Sequence, residues 1–296
     1  MRNFNFFLAS FFIGFVYFGI LTFTAIKAEQ VLSLTANLYY YSEPLPLKNP
    51  YKEILKEIEI DARAVVSLKV DKNGKETILY KKNEDALLPI ASLTKLMTAL
   101  VIFDLKETYN PFLSLPISKE AAFQKGVSIL SEGELLTVEA LVHISLIESS
   151  NDAAFALSEM IGEENFVNLM NIYAKNIGLE KTKFINSTGL NDGKENLSTA
   201  NDVALLAKTI KENYPQIFEI TRKKEYEVLK PNGSFRHLSK NTNVLLFEYP
   251  QISGGKTGFT NEAKGCLVII VDTKDGYVIN IILGANDRFE EMRKLI

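Results

Sequence analysis

The sequence predicts an α+β domain whose antiparallel sheet is built from both ends of the chain, with helices between. Near the front of the body, two β-rich runs at 64–70 and 77–80 flank Asn73-Gly74, a strong hairpin signal. At the far end, apolar runs at 266–271 and 277–283 flank Asp275-Gly276 in the same way. The chain between carries helical patterning at 92–105, 137–147, 152–161, 164–177 and 201–212, and shows no internal repeat.

In chain order, the first feature is an uncharged run from Phe6 to Ile26, preceded by Arg2 and followed by Lys27 and Glu29. Eight of the 19 phenylalanines lie before residue 24. As a helix this run would extend roughly 30 Å, enough to cross a bilayer core. Its length favours an uncleaved membrane anchor at 1–28, while Ile26-Lys27-Ala28 leaves a cleaved export signal open. Either reading exports the protein. Residues 29–58, punctuated by Glu43-Pro44-Leu45-Pro46 and Asn49-Pro50, read as an extended spacer, and 59–296 as the folded body.

Composition narrows the chemistry. With 47% hydrophobic and 23% charged residues the chain is neither disordered nor a polar repeat. A net charge of −3 without a long basic block argues against nucleic acid as a partner. A single cysteine, Cys266, excludes an internal disulfide and a Cys-based zinc cluster, and reads as a small apolar strand residue. His143 and His237, far apart in the chain, have neither metal-ligand spacing nor the setting of a Ser-His-Asp triad and read as structural. No metal and no cofactor are expected, so the chemistry falls to other side chains.

The segment from Ser92 to Phe103 is apolar almost all round, the mark of a helix buried inside a domain. Lys95 is out of place there, because an unpaired ammonium in a core is costly and tends to lose its proton. Ser92, three residues earlier, shares its face, and a serine beside such an amine is a nucleophile with its base. Ser-x-x-Lys alone is a weak signal, as Ser253-Gly254-Gly255-Lys256 also matches. Ser149-Ser150-Asn151 follows the helix at 137–147. Ser149 falls about three turns beyond Val138, which places it on that helix's inward face. The same residues read as a helix stop and the cap of the next helix. Ser239-Lys240-Asn241 shows that this pattern too is weak singly. The third element, Lys256-Thr257-Gly258, occurs once and precedes the terminal strands. One arrangement sets all three in order with a domain's worth of chain between them: Ser92, Ser149, Lys256. Thr199-x-x-Asp202 reads as a capping box.

Together these residues resemble the serine D-alanyl-D-alanine carboxypeptidases, the low-molecular-mass penicillin-binding proteins of peptidase family S11. The resemblance runs from about Asp61 to Leu295. It is reinforced by the run from Leu88 to Thr98, by Asn151-Asp152-Ala153-Ala154, and by Phe184-Ile185-Asn186 with Gly189-Leu190. The runs from Leu197 to Ala200 and from Lys256 to Ala263 add to it. It implies a β-lactamase/transpeptidase-like fold with a helical subdomain. It also implies peptidoglycan stem peptides as substrate, covalent capture of β-lactam antibiotics, and a place in the bacterial cell envelope. There the protein is anchored on the outer face of the cytoplasmic membrane, or secreted if the signal is cleaved. By the same resemblance, Ser92 attacks the penultimate D-alanine, Lys95 takes its proton, Ser149 protonates the leaving D-alanine and Asn151 holds the substrate amide. Lys256 and Thr257 bind the terminal carboxylate, and the Lys256 charge helps depress the pKa of Lys95. Gly258 admits the peptide backbone, and the N–H groups of Ser92 and Phe259 form the oxyanion hole. Arg288 is a further carboxylate-binding candidate.

Two alternatives from other classes share the motifs. A class A β-lactamase needs a deacylating glutamate, which 184–189 does not supply and for which Glu180 is the nearest candidate. A non-catalytic, membrane-tethered peptidoglycan-binding protein would be signalled by a lost motif residue, and all are present. Endopeptidase action on cross-links is not separated from carboxypeptidase action. Ser150 stands where the family often has glycine and is expected to crowd the substrate slightly. The chain stops at Arg293-Lys294-Leu295-Ile296, without the C-terminal β domain and amphipathic tail of many relatives, so anchoring is expected to fall to the N-terminal segment.

Overall fold

The computed structural model describes residues 58–126, 128–191 and 193–296, and a five-stranded antiparallel sheet lies at its centre. The anchor or signal read at 1–28, and all but the last residue of the spacer, lie outside the described residues. Among the described residues, no helix is long and apolar enough to cross a membrane.

β1 (Ala64–Asp71) and β2 (Glu76–Lys82) form the first hairpin, with Gly74 in the left-handed region its turn requires, φ +79°. The two-residue strand β3 (Leu88–Pro89) and a single 3-10 turn, Ala91–Leu93, lead into α1 (Thr94–Asp104). β4 (Ser114–Pro116), α2 (Lys119–Ala122) and β5 (Leu135–Thr137) precede the helices α3 (Val138–Ile147), α4 (Asn151–Glu159) and α5 (Glu163–Ile177). β6 (Leu197–Ser198) pairs back with β3 before α6 (Ala200–Asn213) and α7 (Pro215–Thr221). A second hairpin, β7 (Glu225–Leu229) with β8 (Phe235–Lys240), is followed by a 3-10 turn at Val244–Phe247. β9 (Ile252–Thr260), β10 (Lys264–Thr273), β11 (Gly276–Ala285) and α8 (Arg288–Arg293) close the domain.

The sheet order is β2-β1-β11-β10-β9, so the first and last hairpins join through the β1–β11 pairing and both ends of the described residues build one sheet. Both faces are covered. Ala64, Val66, Leu68 and Val70 of β1 pack with Val268 and Ile270 of β10 against the helices. Val65, Leu267, Ile269 and Ile282 face the other way, against Leu245, Met292 and Leu295. Double coverage explains why β10 and β11 read as near-continuous apolar runs rather than alternating ones. α1 lies in the larger core, with every residue from Thr94 to Ile102 buried, in keeping with its all-round apolar sequence. Ser118, Thr137, Ser150 and Thr199 open α2, α3, α4 and α6, each accepting the backbone N–H three residues on.

Several expectations need correction. Ser92 lies in the 3-10 turn before α1, not within the α-helix. The Thr199 capping box is half formed: Thr199 Oγ1 takes the Asp202 N–H at 3.1 Å, but the Asp202 carboxylate accepts from Lys181 N and Thr182 Oγ1 instead of reaching back. Lys256-Thr257-Gly258 precedes the two terminal strands, as expected, but is itself part of a strand that the sequence does not predict. It lies inside β9, the edge strand, where three glycines lower β propensity enough to hide the strand in the sequence. A Cβ on Gly254 would stand 2.6 Å from Phe218 Cβ, and one on Gly255 2.3 Å from the Val268 carbonyl, so side chains there would push α7 and β10 away.

Candidate active site

The site forms where the 3-10 turn before α1, the turn between α3 and α4, and edge strand β9 meet. Ala91 holds a left-handed φ of +47°, uncommon for a residue with a side chain, and this turns Ser92 out at the head of α1. Two glycines allow that kink. A Cβ on Gly189, itself at φ +84°, would sit 2.0 Å from the Ala91 carbonyl oxygen, and one on Gly258 would lie 3.1 Å from Ser92 N. The strand bearing Lys256 and Thr257 is thereby pressed against the serine turn.

Lys95 is wholly buried. Its Nζ lies 3.0 Å from Ser92 Oγ, 2.7 Å from Asn151 Oδ1 and 2.7 Å from the Thr188 carbonyl oxygen. The Asn151 amide is oriented by its other end, because Nδ2 donates to the Lys125 carbonyl at 2.7 Å and only a nitrogen can do so. The two carbonyl-type oxygens can only accept. In a neutral amine they therefore take both N–H groups and leave the lone pair facing the Ser92 hydroxyl. Burial pushes the Lys95 pKa down to about 7, with the Asp152 carboxylate pulling the other way. The Asp152 charge is in turn held by the backbone N–H groups of Ile129 and Leu130.

Ser149 was expected on the inward face of α3. It does follow that helix and is buried, but it turns inward from a left-handed conformation at φ +63° rather than along the helix face. Lys256 Nζ donates to Ser149 Oγ at 2.7 Å and to the Thr257 carbonyl at 3.0 Å. Burial pushes the Lys256 pKa well below the usual lysine range, and the positive charges of Lys95 and then Arg288 add to it. Lys256, expected to depress the Lys95 pKa, is not what lowers it: the charge effect found is that of Lys95 on Lys256, and beyond burial the charge acting on Lys95 is that of Asp152. Thr257 Oγ1 pairs with Thr242 Oγ1 at 2.5 Å. Phe259, next along β9, is 57% exposed. Arg288 NH1 donates to the Gly258 carbonyl at 3.3 Å, while its Nε is buried without a hydrogen-bond partner among the described residues. All nine residues singled out in the sequence therefore converge on this region.

Other expectations change. Ser150 does not crowd the cleft. It is fully buried, caps α4 by accepting the Ala153 N–H, and donates to the Asp152 carboxylate. Glu180 is exposed after α5. The stretch 184–189 meets α1 through its backbone, with the Ser187 and Thr188 carbonyls accepting from Thr98 and Lys95, and the carboxylate bound to it is that of Glu163, hydrogen-bonded to Ser187 and Ser158. Asn186 and Asn196 tie this stretch together, Asn186 Oδ1 accepting from Gly189 N at 2.7 Å and Asn196 Nδ2 donating to Thr94 Oγ1 at 2.8 Å. The Thr188 and Lys125 carbonyls were invisible in the sequence because any residue supplies one. His143 is buried and stacks on Tyr226 with ring centroids 4.0 Å apart. His237 is on β8 and hydrogen-bonds Glu148, the neighbour of Ser149. Cys266 is buried beside the Pro89 carbonyl, and burial pushes its thiol up to about 11. Among the described residues, no group of three or more His, Cys, Asp or Glu is placed to hold a metal ion.

A family model described as D-alanyl-D-alanine carboxypeptidase, Peptidase S11, matches residues 52–287. The D-alanyl-D-alanine carboxypeptidase DacF of Bacillus subtilis is 36% identical over 235 residues, which cover 78% of this chain and 59% of that protein's length. The D-alanyl-D-alanine endopeptidase of Pseudomonas aeruginosa is 32% identical, covering 72% of this chain and 68% of its own. Among solved structures, penicillin-binding protein D2 from Listeria monocytogenes in its ampicillin-bound form superposes with a TM-score of 0.71 at 31% identity, covering 80% of this chain and 97% of that one.

Proposed function

The chain belongs to the peptidase S11 family of D-alanyl-D-alanine carboxypeptidases, and on that premise we propose that it removes the terminal D-alanine from peptidoglycan stem peptides through an acyl-enzyme on Ser92. The observation that carries this reading is the partner set of Lys95 Nζ: two acceptors that cannot donate, and the Ser92 hydroxyl. Ser92 Oγ attacks the carbonyl carbon of the penultimate D-alanine as its proton passes to neutral Lys95. The developing oxyanion is held by the backbone N–H groups of Ser92 and Phe259, on two segments that Gly258 lets approach closely. The C–N bond then breaks, and the leaving amine takes a proton from Ser149 Oγ. Lys256 Nζ, which donates to that oxygen at 2.7 Å, is placed to replace it. Once the D-alanine has left, the proton held by Lys95 makes good the one lost by Lys256; neutral Lys95 then takes a proton from the water that attacks the acyl carbonyl and returns it to Ser92 Oγ as the acyl–oxygen bond breaks.

Thr257 and Lys256 bind the terminal carboxylate, with Arg288 lending positive charge from behind the Gly258 carbonyl. Asn151 orients Lys95 through its Oδ1 and presents its amide to the substrate amide. β-Lactams acylate Ser92 by the same attack, a reading supported by the ampicillin-bound form of the Listeria relative. Stretch 184–189 offers no carboxylate to activate a deacylating water, so the adduct is long-lived. The catalytic body works outside the cytoplasmic membrane, exported by the Phe6–Ile26 segment and held there when that segment is not cleaved.

The test is D-alanine release from a pentapeptide stem by the full-length chain, with Ser92→Ala in parallel. Release that vanishes in the variant is expected, and equal release would contradict the reading. The Pseudomonas relative's endopeptidase name favours a second use of the same acyl-enzyme, read in that assay as cleavage of a cross-linked dimer.

A further inference from the structure

Ser149 keeps an unfavourable left-handed backbone, and such a conformation persists only where its surroundings over-determine it. The turn is fixed on its α4 side by the Ser150 cap. On the other side it is tied to the arm formed by β8 and the residues after it, through two successive positions. Thr242 N donates to the Ile147 carbonyl at 3.1 Å, and His237 Nε2 meets Glu148 Oε1 at 2.9 Å.

The histidine contact is directional. Arg236 NH1 lies 2.7 Å from His237 Nδ1, and a guanidinium can only donate, so Nδ1 accepts and Nε2 carries the proton toward Glu148. Arg236 is anchored in turn, by the Glu134 carboxylate at 2.5 and 2.9 Å and by the Ile129 carbonyl at 2.6 Å. Ile129 N and Leu130 N donate to Asp152, three residues beyond Ser149. The contacts therefore close a ring: the Ser149 turn, Glu148, His237, Arg236, the 129–130 backbone, Asp152 and back to the turn. Glu148 is the thinnest link. Its side chain is 14% exposed, its Oε2 is buried without a hydrogen-bond partner, and His237 is the one hydrogen-bond partner of its carboxylate among the described residues.

We propose that His237, acting through Glu148, is a positioning residue that holds the Ser149 turn so that Ser149 Oγ meets Lys256 Nζ. This rests on the proposed role of Ser149 in the reaction. His237 touches neither substrate nor reacting atoms, so its loss acts through the placement of Ser149. Misplacement of a reacting group by an ångström can cost up to about 100-fold in rate.

The experiment measures kcat and KM for D-alanine release by the full-length chain in His237→Ala, Glu148→Ala, His237→Gln and Glu148→Gln, each checked for an unchanged circular dichroism spectrum. A roughly 10- to 100-fold fall in kcat with little change in KM is expected for both alanine variants. Both glutamine variants, which keep a donor facing an acceptor, should restore most of the rate. The decisive comparison is Ser149→Ala with and without His237→Ala: the second substitution should add no further loss. An equal additional loss in that background, or alanine variants as fast as the parent, would overturn the proposal. A Ser149→Ala variant with undiminished turnover would remove the role of Ser149 itself, and the positioning role with it, and would be recognised because it shows before His237 is touched. Should His237→Ala fail to fold, the glutamine variants and Glu148→Ala decide alone.

Discussion

Lys95 is under a strong physical demand, since an amine without access to water must find partners or give up its proton. With its pKa brought down to about 7, the protonated form dominates below that value and the base form above it. On the proposed reading, acylation needs the base form. Its rate should therefore rise about tenfold per pH unit below 7 and level off above, as measured by stopped-flow acylation with a chromogenic β-lactam. A rate flat from pH 5 to 9, or one still climbing steeply toward pH 10, would contradict the assignment. This residue was legible in the sequence because one charge stood in an otherwise apolar helix. Ser149 was legible as part of a motif and does lie inward, but it owes that position to a left-handed turn, which the spacing along a helix face does not show. Its partner His237 was not legible at all, because the 89 residues separating it from Glu148 are bridged by tertiary structure alone.

Elements place these residues by letting backbones approach closely. The 184–190 stretch lies along α1, and β9 lies along the serine turn, both at glycines. Gly189→Ala would put a Cβ 2.0 Å from the Ala91 carbonyl and force a side chain into a left-handed φ of +84°. A loss of about 2 kcal/mol or more in stability is expected by urea denaturation, with acylation slowed further because Ala91 and Ser92 must shift. A variant as stable and active as the parent would show that this stretch does not brace the nucleophile turn. The long apolar elements α1, β10 and β11 were plain in the sequence, since burial on all sides writes itself as an unbroken apolar run. The β7–β8 hairpin and strand β9 were not. The hairpin strands are short and carry charged residues among the apolar ones, and β9 is rich in glycine, so both are fixed by what they pack against.

At the scale of the whole molecule, the sheet fastens the first and last hairpins of the described residues together while the helical middle carries Lys95, Ser149 and Asn151 to one edge of it. That division was readable from where the β-rich runs fell. The convergence at β9 was readable only from the order of three weak motifs, each of which recurs or fits a bland explanation alone. The central claim is that this edge acylates on Ser92. Its most direct test is the intact mass of residues 29–296 after incubation with benzylpenicillin, beside Ser92→Ala. One penicilloyl adduct per chain, absent from the Ser92→Ala protein and decaying slowly, is the expected result. A folded protein that takes up no adduct, or an adduct that survives the loss of Ser92, would contradict it.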